Sequence, residues 1–247
     1  MPTQPVPIAI LPLGAHEQHG PHLPFETDAL IAQEVAQRLC NAAPAGIHAE
    51  LLPVEAIGYS IEHMDVSGTR TLGFEEAVNR WIDIAASCAD HGIHRLMLLN
   101  AHGGNSPLLT IVATEARVRF NMLAVATSWT RFGMPADIID PADKAFDIHA
   151  GEIETSVMLA IRPDLVRLDA LQNFPSRQAD YARRFTHLRA YGPHAFGWKM
   201  SDLNSQGAAG KASQASANKG EAILAHAVKG LSELLADMAE FDVSELK

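Results

Sequence analysis

Four short apolar runs, each separated from the next by a helical pattern, constrain this chain more than any other feature. Ile8 to Leu13, Glu50 to Ile57, His94 to Leu99 and Met122 to Ser128 are apolar and rich in strand-forming residues. The first run starts at Val6 and reads as a buried strand. Between and after them the spacing of apolar residues becomes helical. Asp28 to Leu39 places Ala29, Leu30, Val35, Ala36 and Leu39 roughly on one face, and Phe74 to Ala89 does the same with Phe74, Ala77, Val78, Trp81, Ile82 and Ala85. Pro107 to Phe120, Glu152 to Ile161 (ended by Pro163) and Lys219 to Phe241 continue the series. Strand and helix in alternation predict an α/β fold, with a mainly parallel sheet covered on both faces. A chain of 247 residues suits one αβα layered domain spanning residues 1–247. Asp180 to Ala217 carries the weakest pattern and reads as a loop over an active site or a subunit contact.

Composition narrows the function classes. A formal net charge of -10 argues against a nucleic-acid surface, which needs a basic patch to replace counterions. No run approaches the ~18 apolar residues of a membrane span. Met1 to Pro5 has neither a basic start nor an apolar cleavable segment, so a cytoplasmic location is expected. Cys40 and Cys88 sit inside apolar helical patterns, where free buried thiols are expected.

The chemistry-bearing residues follow the strands. Glu17 to Asp28 packs two histidines and three carboxylates into twelve residues just past the first strand. The carboxyl ends of such strands are where open α/β sheets place their sites. Glu17 and His19 are two apart, so an extended segment points both to one side. Pro21 and Pro24 stiffen the loop that returns Asp28 toward them, and Thr27 is the expected N-cap of the helix. An aspartate has two oxygens and can bridge two cations. His102, in Asn100-Ala101-His102-Gly103-Gly104-Asn105, follows the third strand and adds a nitrogen if the two strands are neighbours. Nitrogen and oxygen ligands without thiolate suit Zn, Mn or Fe. His16, His22 and His63 are weaker candidates, and His48, His91, His94, His187 and His226 read as ordinary surface or core histidines. The Gly103-Gly104 turn also suits a phosphate at a helix start, but no P-loop lysine accompanies it.

Three ordered motifs carry a family resemblance. Glu17-Gln18-His19-Gly20 with His22-Leu23-Pro24 and Thr27-Asp28, then Asn100 to Asn105, then His149-Ala150-Gly151-Glu152-Ile153-Glu154-Thr155-Ser156, closely resemble the creatininase (creatinine amidohydrolase) family. The resemblance implies a layered αβα domain, usually a hexamer, and therefore a homo-oligomer here. It implies two divalent metal ions per subunit, a bridging hydroxide as nucleophile, and hydrolysis of a C–N bond in a small cyclic amide or formamide. Glu17 and His102 are implied to bind one metal, His19 the other, and Asp28 to bridge; His149 is implied to move the proton. Family members also open formamidopyrimidine rings or trim modified peptides, and the alternative reading is a catalytically inactive small-molecule-binding protein that retains the fold.

Two departures matter. Creatininase has a metal-binding glutamate where this chain has Gly104, so a substitute carboxylate is needed. Glu152 is the expected replacement, with Glu154 as the alternative or as a catalytic residue that orients a ligand. The aromatic residues that enclose creatinine are also not all matched. Trp129 can fill one such place, Phe146 is the aromatic nearest before His149, and Gly103 leaves a wider pocket. Arg70 is a candidate for holding a substrate carboxylate or carbonyl, or is a surface arginine.

Overall fold

β1 (Val6–Leu13) organises the molecule, pairing in parallel with β2 (Ile47–Leu51) on one side and β3 (Arg95–Asn100) on the other. β4 (Leu123–Ser128) pairs in parallel with β3, so the sheet order is β2-β1-β3-β4. This is a computed structural model, and it describes residues 5–245. Most of the N-terminal stretch read for a leader, Met1 to Gln4, lies outside the described residues, as do Leu246 and Lys247.

Residue alternation sends successive side chains to opposite faces of the sheet. Ile8, Ile10, Met97 and Leu99 enter the core beneath α1 (Thr27–Asn41) and two later helices. Ala9, Leu11, Leu13, Leu96 and Leu98 enter the core beneath α2 (Phe74–Asp90) and α3 (Ser106–Phe120). The later helices follow a short α4 (Pro141–Lys144): they are α5 (Glu152–Ile161) and, beyond α6 (Gln178–Arg184) and α7 (Met200–Leu203), α8 (Ala217–Glu240). The result is the expected αβα layering. Trp81, wholly buried on α2, is the largest side chain of the second core; truncating such a residue costs about 3–5 kcal/mol.

Two local readings differ from the sequence expectation. The second strand runs over Ile47–Leu51 rather than Glu50 to Ile57. Its later part still follows β1, since Leu52 N donates to Ile10 O at 2.9 Å and Glu55 N to Pro12 O at 2.9 Å. Pro12 of β1, whose nitrogen faces this side, has no N–H to give to Leu52, and Glu55 rather than Val54 meets the Pro12 carbonyl, so the regular ladder ends at Leu51. Thr27 is the first residue of α1 rather than its cap, and its hydroxyl donates back to Pro24 O at 2.7 Å. Asp28 nonetheless lies in the first turn, as the spacing predicts.

Two features aim the loops at one place. Gly14, just past β1, lies against the start of α1, where a Cβ would stand 2.5 Å from the Ala29 backbone. Glycine therefore lets Asp28 sit on the strand end. The 180–217 segment is partly helical and has its own small core of Ala190, Met200, Leu203 and Ala209. It reaches the site through main chain: Ala209 N donates to His149 O at 2.7 Å, and Ile148 N to Ala209 O at 2.9 Å. Trp198 donates its indole N–H to Ala190 O at 2.7 Å, and Asp202 accepts from Lys199 N at 2.8 Å, so both hold this segment together.

Candidate metal centre

Because β1 and β3 are neighbours, the segments that leave their carboxyl ends meet. Ala101 N donates to Leu13 O at 2.8 Å. Two asparagines staple the segments. Asn100 Oδ1 accepts from His102 N and from Asn105 Nδ2, each at 3.1 Å, and Asn105 Nδ2 also reaches Gly14 O at 3.1 Å. Asn105 Oδ1 accepts from Tyr59 N at 2.9 Å, which draws in a third segment.

Glu17, His19, Asp28 and His102 then converge, all buried. Asp28 spans the cluster, with Oδ1 3.1 Å from His19 Nε2 and Oδ2 3.3 Å from His102 Nδ1. Glu17 Oε1 is 3.2 Å from His102 Nδ1 and 3.7 Å from His149 Nδ1. Glu154 Oε2, from the first turn of α5, is 4.0 Å from His19 Nε2. Three ligand-type groupings result: Glu17, His19 and His149; Glu17, Glu62 and His102; and His19, Asp28 and Glu154.

Main-chain carbonyls set each ring. His19 Nδ1 lies 3.0 Å from Glu17 O, His102 Nε2 lies 2.9 Å from Tyr59 O, and His149 Nε2 lies 2.6 Å from Gln18 O. A carbonyl oxygen only accepts, so each of these nitrogens carries the proton. The opposite nitrogen of each ring faces the carboxylates, as a second proton donor where the ring is charged or as a lone pair open to a cation once that proton has left. Ligand histidines are oriented by just this kind of outer partner.

The electrostatics favour a cation. Burial works against charge on Glu17, but the neighbouring His102 above all holds its carboxyl well below the usual range. Asp28 is also lowered, against burial, by His19 and His102. Burial likewise opposes protonation of His19, yet Asp28, Glu154 and Glu17 raise it to about 9, and similar partners raise His102. Burial pushes Glu154 up to about 7 in spite of His19. His149 goes the other way: burial, then the charges of His19 and His63, keep its imidazole neutral. Even with these neighbours, Glu17 Oε1, Glu17 Oε2 and Asp28 Oδ2 are buried without a hydrogen-bond partner. Buried acceptors without donors are costly, and divalent cations in place of imidazole protons satisfy them. The donor set is oxygen and imidazole nitrogen, which suits Zn, Mn or Fe.

Glu152 is the main departure from expectation. It is buried but pairs with Lys219 Nζ of α8, away from the three groupings. The carboxylate that α5 brings to the cluster is Glu154, whose Oε2 also accepts from Ala150 N at 2.6 Å. Residues two apart on a helix project about 200° apart, so only one of the two can face the site. Trp129 follows β4 and packs in the core beneath α1, α5 and α8 rather than standing as a ring wall. Arg70 is exposed, and its main-chain N–H donates to His16 O at 2.9 Å. Gly103 is exposed with open space at its Cβ position.

Two site residues were undervalued by sequence reasoning. His63 Nε2 lies 3.2 Å from Glu17 Oε1, and its ring centroid is 4.6 Å from that of His149. Glu62 Oε1 lies 3.5 Å from His102 Nε2. Both sit on a short 3₁₀ turn, Ile61–His63, with no periodic signal; the adjacent Glu-His pair was the available clue. His22 instead bonds Thr155 Oγ1 at 2.9 Å and stacks on Phe174, a structural role.

Fold and cluster together define a class: a parallel αβα protein with a buried carboxylate–imidazole cluster at the carboxyl edge of its sheet. A family profile described as creatinine amidohydrolase matches residues 3–235. The chain belongs to the creatininase family of amidohydrolases. It is 34% identical over 230 residues to a mycofactocin precursor peptide peptidase of Mycolicibacterium smegmatis, covering 92% of this chain and 84% of that protein. It is 29% identical over 247 residues to a creatinine amidohydrolase of Pseudomonas putida, covering 93% and 89%. A solved manganese creatininase superposes with a TM-score of 0.77 at 27% identity, covering 96% of this chain and 92% of that one.

Proposed function

We propose that this protein is a binuclear metal-dependent amidohydrolase, one domain acting within a homo-oligomer, probed first as a hexamer. Its substrate is a small cyclic amide or a formamide. The observation that carries the reading is the set of buried, unpartnered oxygens on Glu17 and Asp28, facing three imidazoles whose outer nitrogens are held by main-chain carbonyls so that the inner nitrogen of each is left for a cation. Glu17, Asp28 and His102 would hold one cation, and His19, Asp28 and Glu154 the other. Bound there, two divalent ions supply acidified water and polarise an amide carbonyl.

The protein's own groups do the rest. Gln18 O fixes His149 with its proton on Nε2, so Nδ1 is the atom that accepts and returns a proton. Its neutral resting state suits uptake of a proton from attacking water and delivery to the departing nitrogen. An amide nitrogen leaves poorly as an anion, so that delivery is required for C–N cleavage. His63, beside both Glu17 and His149, stabilises the carboxylate and confines the His149 ring.

A terminal peptide amide is the second substrate class. It is favoured by the open space beside His102 at Gly103 and by the mycobacterial peptidase relative. Assay of the metal-loaded protein against creatinine, cyclic amides, formamides and short peptides tests both. Chelator-sensitive hydrolysis of a small amide or formamide supports the first class. Turnover confined to peptides replaces it with the second, and no turnover on any of them counts against the enzyme reading.

A further inference from the structure

Gly104 and Glu62 belong together. A Cβ at Gly104 would stand 2.4 Å from Tyr59 O, 2.5 Å from His102 Nε2 and 2.7 Å from Glu62 Oε1. No side chain fits there while the 59–62 segment holds its place. With glycine at 104 that segment closes directly onto the far edge of His102. Three acceptors then surround Nε2: Tyr59 O at 2.9 Å, Ser60 Oγ at 3.4 Å and Glu62 Oε1 at 3.5 Å. The near edge faces Glu17 Oε1 at 3.2 Å and Asp28 Oδ2 at 3.3 Å through Nδ1. Glu62 therefore stands at the Nε2 edge of His102, with a carboxylate oxygen also within 4.8 Å of a Glu17 oxygen; loss of a whole metal equivalent in Glu62→Gln, rather than a weakened one, would make it a ligand instead of a positioning residue. Its side chain is 15% exposed, so its charge is only partly screened by water.

We propose that Glu62 is a positioning residue for His102, made possible by Gly104. Its carboxylate reinforces the Tyr59 carbonyl in keeping the ring proton on Nε2. The negative charge behind the ring also makes Nδ1 a stronger donor toward a cation beside Glu17 and Asp28. This rests on the reading that the cluster binds two cations. It assigns different outer support to the two ions: among the described residues no carboxylate pairs with the outer nitrogen of His19, which meets the Glu17 carbonyl.

The test is Zn²⁺ titration of chelator-stripped protein against a chromophoric chelator, for wild type and Glu62→Gln, with the Co²⁺ absorption spectrum as a second readout. Glutamine keeps the size of the side chain and removes its charge. In wild type two equivalents are expected. In Glu62→Gln one equivalent should weaken by about 10–100-fold, the usual effect of losing an outer partner. The other should stay within about twofold, and one Co²⁺ band should shift. Unchanged affinities and spectrum in Glu62→Gln overturn the inference alone, and a raised KM with unchanged affinities reassigns Glu62 to substrate contact. A wild-type protein that takes up no Zn²⁺ overturns the metal reading as well.

Discussion

The two halves of the cluster are built differently. One half, Glu17 and His102, hangs from the ends of adjacent strands, stapled by Asn100 and Asn105, with Asp28 of the first turn of α1 set against the end of β1. The other half, His149 and Glu154, hangs from the turn into α5. There Ala150 adopts φ 50°, and Asp147 accepts main-chain N–H bonds from Glu152 at 2.6 Å and Ile153 at 3.4 Å. A non-glycine residue in that left-handed region costs about 1–2 kcal/mol. The sheet edge thus places ligands at no conformational cost, whereas the α5 turn uses strain to bring a proton carrier and a carboxylate to the same spot.

Separating the halves gives the largest expected effects. His149→Ala should lower kcat by about 10²–10⁴-fold, the range of general acid–base catalysis. Metal content should stay near normal, because the sheet-edge half is untouched. Equal loss of bound metal would make His149 a ligand and merge the halves. Glu154→Gln should remove about one equivalent of metal. Glu152→Gln should leave metal content unchanged and instead cost about 1–3 kcal/mol in urea unfolding, since it strands Lys219 beside a neutral partner. The reverse pattern would restore Glu152 as the ligand.

Smaller effects sharpen the contrast. Ala150→Gly relieves the left-handed strain and should raise stability by about 0.5–1 kcal/mol, read as a shift in urea midpoint. A loss of stability would mean that the turn is held by more than backbone geometry. His22, which supports α5 through Thr155, is held down to about 4 by burial and the charge of His19, against an ordinary 6.5. The folded state resists protonation that the unfolded chain accepts. Its contribution is therefore full above about pH 6.5 and is lost as pH falls toward 4. His22→Gln should flatten that part of the stability profile, whatever its effect at neutral pH.

The contrast also explains what the sequence made legible. The strand-end half follows from local rules: alternation along β1 and β3, a two-residue step from Glu17 to His19, and an aspartate in the first helical turn. The layered fold follows from the same periodicities, apart from the second strand, where Pro12 of β1 lacks the N–H that would continue pairing. The other half depends on phase. Choosing between Glu152 and Glu154 requires the rotation of α5 about its axis, which Lys219 on a distant helix helps to fix. Glu62 and His63 reach the cluster through Tyr59 and Asn105, contacts across 46 residues that leave no periodic trace. Trp129 and Arg70 were read by residue type alone, and packing sends one to the core and leaves the other exposed.

Metal content per subunit, measured on protein purified without chelator beside Asp28→Ala, tests the shared-cation cluster most directly. Among the described residues, Asp28 is the one side chain that faces both His19 and His102 with separate oxygens. About two equivalents in the wild type, and loss of both in the variant, is the expected result. No metal in the wild type, even after anaerobic addition of Zn²⁺, Mn²⁺ or Fe²⁺, or a variant that keeps both equivalents, would contradict it.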